Sequence, residues 1–211
     1  MQRRIIRARL AAVLAAVALL AGCKVVVAAP SPASGGQPAG ASSQPAAPGG
    51  TTASGKLTAI SDEGQVTYSA HLTHCHAGDR GQLPDPHCTP GSVDPAITQA
   101  DIGSTICRSG YTAKVRPPSS QTTKAKYDVA YPAYSIPNGD TSELDHLVSL
   151  ELGGSNDITN LWPEVGSLPN PKDAVENALH RAVCDGKVSL RAAQRAIAAD
   201  WMTAEATLGL G

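Results

Sequence analysis

Residues able to do chemistry concentrate between Glu143 and Glu164, in the block ELDHLVSLELGGSNDITNLWPE. An aspartate and a histidine stand side by side at Asp145 and His146, in a short apolar run that leads to the glycine pair Gly153 and Gly154. A second short apolar run opens at Asn160, Leu161 and Trp162. A carboxylate can hold a hard cation, and an imidazole with an ordinary pKa of about 6.5 can take a proton near neutral pH. The same pair can instead be structural, each group satisfying polar neighbours in a small hairpin, and in isolation it says no more than that.

These residues need elements to position them. Two apolar runs around a Gly-Gly loop predict a β-hairpin. Asn170, Pro171 and Asp173 predict a helix start, with an N-cap, a proline at the first position and an acid in the first turn. Ala174, Val175, Ala178, Leu179, Ala182 and Val183 recur at helical spacing as a buried face, opposite a polar stripe of Asp173, Glu176, Asn177 and His180. A Cys184-Asp185-Gly186 break ends this helix, and Ser189 caps an alanine-rich one to about Trp201, with Leu190, Ala193, Ile197 and Trp201 in register. Residues 204–211 read as a flexible tail. Glu143, Glu151 and Glu164 read as solvated or turn residues, and Trp162 as a core anchor. Neighbours on a regular strand point to opposite faces, so Asp145 and His146 can serve one site only where the strand is distorted or the substrate lies across its end.

The hairpin, the Gly-Gly loop, Asn160 and the following helix together resemble the HNH (ββα-metal) nuclease family. The wider block from Cys88-Thr-Pro-Gly through Ile106-Cys107 to the KDAVENALHRAVC helix looks like a secreted bacterial group of that type. The resemblance implies an α+β domain over residues 86–203: a small disulfide-braced fold with a ββα-metal hairpin-plus-helix core and a C-terminal helix. It also implies phosphodiester hydrolysis, with His146 as general base, Asp145 as a metal ligand and Asn160 orienting His146 across the hairpin. A further ligand would come from the helix or its start, where Asn170, Asp173, Asn177 and His180 are the candidates. Oxygen ligands would favour Mg²⁺ or Mn²⁺, whereas His180 would suit Zn²⁺ or Ni²⁺. The implied partner is nucleic acid, DNA before RNA; no protein partner is inferable. The sequence departs from the best-known pattern in having no Cys-x-x-Cys zinc pairs and no unambiguous final histidine.

Residues 1–22 carry a basic start, an apolar run LAAVLAAVALL and a small-residue processing site, the parts of a secretory signal. Leu20-Ala21-Gly22-Cys23 resembles the bacterial lipobox, which implies acylation of Cys23 and a lipoprotein tethered outside the cytoplasm. The apolar run is shorter than the ~20 residues that span a bilayer. Residues 23–55 follow as an Ala, Pro, Gly and Ser spacer, uncharged from Ala28 onward, that cannot bury enough surface to order itself. Without the four arginines before residue 10, thirteen basic side chains face eighteen acidic ones, a balance of −5. That excludes the overall basic field of tight, non-specific nucleic-acid binders.

Residues 56–85 predict a small hairpin (LTAI, turn, QVTYSA) and a loop holding His71, His74, Cys75, His76 and, just beyond it, His87 and Cys88. The loop could hold a metal, but with Cys23 lipidated four cysteines remain, an even number in an oxidising compartment. Of three possible pairings, Cys75 with Cys88 and Cys107 with Cys184 is favoured. Between residues 89 and 142, Pro95 to Ile102 reads as a short helical piece and Gly110 to Val115 as a strand. The polar SSQTTKAK segment reads as loop and Tyr127 to Tyr134 as extended chain. Arg108, Lys114, Arg116, Lys124 and Lys126 are either phosphate contacts or a solvated face. The functional alternatives to a nuclease are a non-catalytic envelope lipoprotein using the same scaffold for binding, and metal capture by the His-rich loop.

Overall fold

The computed structural model describes residues 57–140 and 142–211; the expected signal, Cys23 and the expected spacer lie outside them. The residues around Asp145 and His146 form β3 (Ser142–His146), which pairs antiparallel with β4 (Leu161–Val165). Helix α4 (Pro171–Cys184) follows, then α5 (Leu190–Asp200) and a final turn α6 (Ala204–Thr207). Upstream lie β1 (Thr58–Ala59) and β2 (Ser92–Val93), paired in parallel, and a helical stretch. That stretch comprises α1 (Tyr111–Val115), α2 (Ser119–Lys124), a π-helical turn (Ala125–Ala130) and α3 (Tyr131–Ala133). The result is a small mixed domain of helices and strands with a C-terminal helix. No helix among the described residues is long and apolar enough to cross a membrane.

Helix α4 starts as its sequence dictates, with the Asn170 side chain accepting from Lys172 N at 3.0 Å and Asp173 N at 3.3 Å and Pro171 in the first turn. Ser189 caps α5 through Ala192 N. Leu179, Val183, Leu190, Ala193, Ile197 and Trp201 pack with Val148 and Leu152 in one apolar cluster. Leu147, Ile158, Leu161 and Trp162 pack with Ala125, Ala133 and Tyr134 in a second. The chain after His146 thus sends Leu147 to one cluster and Val148 to the other, fixing the hairpin between both.

Several local expectations fail. The first 13 described residues form no hairpin; Thr58–Ala59 pairs with β2, and Thr67 bridges Asp157 instead. Gly110–Val115 is the helix α1 and not a strand. SSQTTKAK and Tyr127–Tyr134, expected as loop and extended chain, are helical because Ala125, Ala130, Tyr131, Ala133 and Tyr134 are all buried. Residues 204–211 are also not a loose tail: Ala204 is buried, and Leu208 and Leu210 lie against the first cluster.

Both disulfides form with the favoured pairing, Cys75–Cys88 and Cys107–Cys184. Such bridges persist in oxidising compartments outside the cytoplasm. They also remove Cys75 and Cys88 from the thiolate ligands that metal capture by the His-rich loop would have used.

The Gly-Gly pair serves a longer connection than a tight turn, running from residue 147 to 160. Asn160 closes it, donating from Nδ2 to the carbonyls of Val148 (2.9 Å) and Ser155 (2.8 Å) and accepting from Val148 N at Oδ1 (2.9 Å). A Cβ at Gly154 would lie 1.7 Å from the Val148 carbonyl oxygen. Gly154→Ala is therefore expected to cost about 3 kcal/mol through forced backbone movement. The check is a urea titration; a midpoint equal to wild type would show that the loop opens without penalty.

Candidate functional site

Residues two apart on a strand share a face, and so do residues directly opposite across a ladder. The register pairs Glu143 with Glu164 and Asp145 with Trp162. Glu143, Asp145 and Glu164 therefore project together, and one carboxylate oxygen of each lies within 4.8 Å of the others. Glu164, expected as a solvated residue, is 3% exposed, and its Oε2 has no hydrogen-bond partner among the described residues. Burial first, and then the negative charge of Asp145, push the Glu164 carboxyl up to about 8. Glu143 is raised for the same two reasons and by Asp173. Clustered, partly dehydrated carboxylates of this kind suit a divalent cation, and this set is composed of oxygen donors only.

Lys172, in the first turn of α4, enters the same cluster and is 1% exposed. Its Nζ donates to Asp145 Oδ2 at 2.7 Å, to the His146 carbonyl at 2.7 Å and to Glu176 Oε1. Burial alone would depress the ammonium, but Asp145 and Glu176 outweigh it and the group is raised. Burial pushes Glu176 up to about 7 against the pull of Lys172.

His146 ends β3, where the ladder stops, and this resolves the problem of opposite strand faces: Asp145 and His146 line one cavity of about 460 Å³. Arg116, Glu143, Asp173 and Asn177 line it too. A second cavity of about 530 Å³ shares Arg116, Glu143, Leu144 and His146 with the first and extends along Ser119, Thr122 and Lys126. The His146 Nε2 lies 2.9 Å from Asn156 Oδ1. Asn156 Nδ2 already donates to Asp62 Oδ1 (2.8 Å) and to the Val115 carbonyl (2.9 Å), so its Oδ1 must be the acceptor toward His146. The imidazole is accordingly protonated at Nε2 and carries its lone pair at Nδ1. Burial lowers its pKa, although the Asn156 bond and Asp145 pull the other way, a shift that favours the neutral ring.

Several sequence-predicted residues stand elsewhere or act differently. Asn160 does not touch the His146 ring; it braces the loop, and Asn156 holds the imidazole. The Asn170 side chain is spent on its cap, so it is not a ligand. His180 bonds the Ile106 carbonyl at 2.9 Å and faces Glu151 at 3.7 Å, outside the carboxylate group. Its neighbours Cys107 and Cys184 are joined to each other and offer no thiolate. Of the helix candidates, Asp173 and Asn177 share the cavity with Asp145. Lys124 pairs with Asp128, and Lys126 donates to the Ser142 carbonyl, leaving Arg116 as the cation at the junction of the two cavities.

Asn156→Ala is expected to lower any His146-dependent turnover about tenfold or more by freeing the ring. It should also cost about 2–3 kcal/mol, because Asp62 and Val115 lose buried partners. Since the lost bond favours the charged ring, the acid limb of the pH profile should move to lower pH. An unmoved limb would show that Asn156 does not govern the imidazole.

Comparison of the chain with models of known protein families, with curated proteins and with solved structures finds no match.

Proposed function

We propose that this chain is a divalent-metal-dependent nuclease of HNH type, held outside the cytoplasm by lipid at Cys23, and that His146 Nδ1 is its general base. The observation that carries this reading is the His146 ring, held at Nε2 by Asn156 Oδ1, in one cavity with the carboxylates of Glu143 and Asp145. A buried imidazole in its basic form can take a proton from water at neutral pH. Asn156 keeps the ring from rotating. Arg116 offers a cation to a phosphate lying between the two cavities, and the Ser119, Thr122 and Lys126 side offers polar groups to the neighbouring part of the strand.

Asp145 and Glu143, with Glu164 behind them and Asp173 across the cavity, are the residues that would hold the cation. Bound there, it would offset negative charge building on the phosphate and the leaving oxygen. The all-oxygen set favours Mg²⁺ or Mn²⁺ over Zn²⁺ or Ni²⁺. The mature chain's acidic balance argues for phosphate contacts confined to this groove.

The test is incubation of the full chain, kept in detergent, with plasmid DNA or RNA and each of the four metals in turn, with a chelator control. Metal-dependent cleavage with DNA as the better substrate is expected; its absence with every metal rejects the nuclease and leaves a binding module. Cys23→Ala should move the protein from the membrane pellet to the soluble fraction of expressing cells. Retention in the pellet would refute the lipid anchor.

A further inference from the structure

Lys172 is the feature that neither the hairpin pattern nor the helix pattern foretells. A lysine almost never becomes fully buried unless paired, and this one is 1% exposed with three partners. Two of those partners belong to the site: the Asp145 side chain through Oδ2, and the His146 backbone through its carbonyl, each at 2.7 Å. The third, Glu176, stands one turn further along α4. The ammonium thus fastens the first turn of α4 to the end of β3 at the two adjacent residues on which the proposed chemistry depends.

We propose that Lys172 is a positioning residue whose ammonium competes with a bound cation for Asp145, so that the site holds its metal weakly while the Asp145 and His146 groups stay in register. This rests on the reading that a divalent cation binds the carboxylate group. The charge-assisted hydrogen bond occupies one lone pair of Asp145 Oδ2 and draws electron density from it, so Asp145 is a weaker donor to a metal. The ammonium also places a fixed positive charge beside the ligand set, where burial leaves the repulsion poorly screened. Both effects weaken metal binding. The bond to the His146 carbonyl acts on a different quantity, the placement of the imidazole, and so on turnover. Loss of Lys172 therefore has opposite consequences for affinity and for rate, which mere unfolding cannot produce.

The experiment is a Mn²⁺ titration of the full chain in detergent, followed by electron paramagnetic resonance of the free ion, beside plasmid cleavage by the same samples. Lys172→Met keeps much of the stem and removes the charge. It is expected to bind Mn²⁺ at least about tenfold more tightly and to turn over about a hundredfold more slowly. Lys172→Arg keeps the charge and should stay within about threefold of wild type in affinity. Folded Lys172→Met protein that binds Mn²⁺ no more tightly than wild type overturns the proposal, as does the absence of Mn²⁺ binding in both.

Should Lys172→Met lose its cooperative melting, Glu176→Gln takes its place. With its second carboxylate partner gone, the ammonium rests on Asp145, and Mn²⁺ binding should weaken at least about threefold. Unchanged binding overturns the proposal. A wild-type chain that binds Mn²⁺ but cuts no nucleic acid would refute the nuclease reading, and the titration would still decide the role of Lys172.

Discussion

In the proposed nuclease, His146→Ala is expected to lower kcat for nucleic-acid cleavage by about 10²–10⁴, the range typical of losing a positioned general base. Mn²⁺ affinity should stay near that of wild type, because the imidazole stands outside the carboxylate group that would hold the metal. Stability should fall by about 1–3 kcal/mol, since Asn156 is buried and its Oδ1 loses its partner. The pH profile sharpens the test. Burial sets the folded pKa of His146 below its ordinary value, and the base is the deprotonated form. For wild type, kcat/KM should therefore rise with pH through a midpoint below about 6.5 and be flat above it on that account. The variant should lack this limb. Cleavage by His146→Ala at the wild-type rate, or an unchanged limb, would remove His146 from the chemistry.

The hairpin and α4 were legible because their signals are local. Asn170 and Pro171 start a helix wherever they precede a periodic apolar face, and Leu179, Ala182 and Val183 supply one. The cluster on β3 and β4 was only half legible. Glu143 and Asp145 alternate in the sequence, but nothing local says that Glu164 stands opposite Glu143, because register is set by a 14-residue connection whose closure depends on Asn160 and Gly154. Asn156 escaped notice for a related reason: its partners Asp62 and Val115 lie 94 and 41 residues away. Lys172 had no signal at all, since burial of a charge follows from what surrounds it. The helices from Tyr111 to Ala133 were missed because threonines and tyrosines favour strands on average, whereas the burial of Ala125, Ala130, Tyr131 and Ala133 in the later ones depends on partners distant in the chain.

Loss of the Cys107–Cys184 bridge is expected to destabilise the domain by about 4.5 kcal/mol, the chain-entropy value for a closed loop of 77 residues. That is a large share of the roughly 5–15 kcal/mol that holds a domain together. The corresponding value for Cys75–Cys88, with a separation of 13, is about 3 kcal/mol. The larger loop also encloses the site: Arg116, Glu143, Asp145, His146, Asn156 and Lys172 all lie between its two cysteines. The bridge ties the C-terminal end of α4 to the segment before α1, while Lys172 ties the other end of α4 to β3, so the helix is held at both ends. A Cys107→Ser, Cys184→Ser double variant should therefore unfold at a markedly lower urea concentration and lose metal binding along the same transition. The Cys75→Ser, Cys88→Ser variant should fall by less and keep the site intact until it unfolds. Equal midpoints for the two variants would contradict the loop-length argument. A Cys107–Cys184 variant that keeps wild-type stability would show that packing of α4 through Leu179 and Val183 suffices without the bridge.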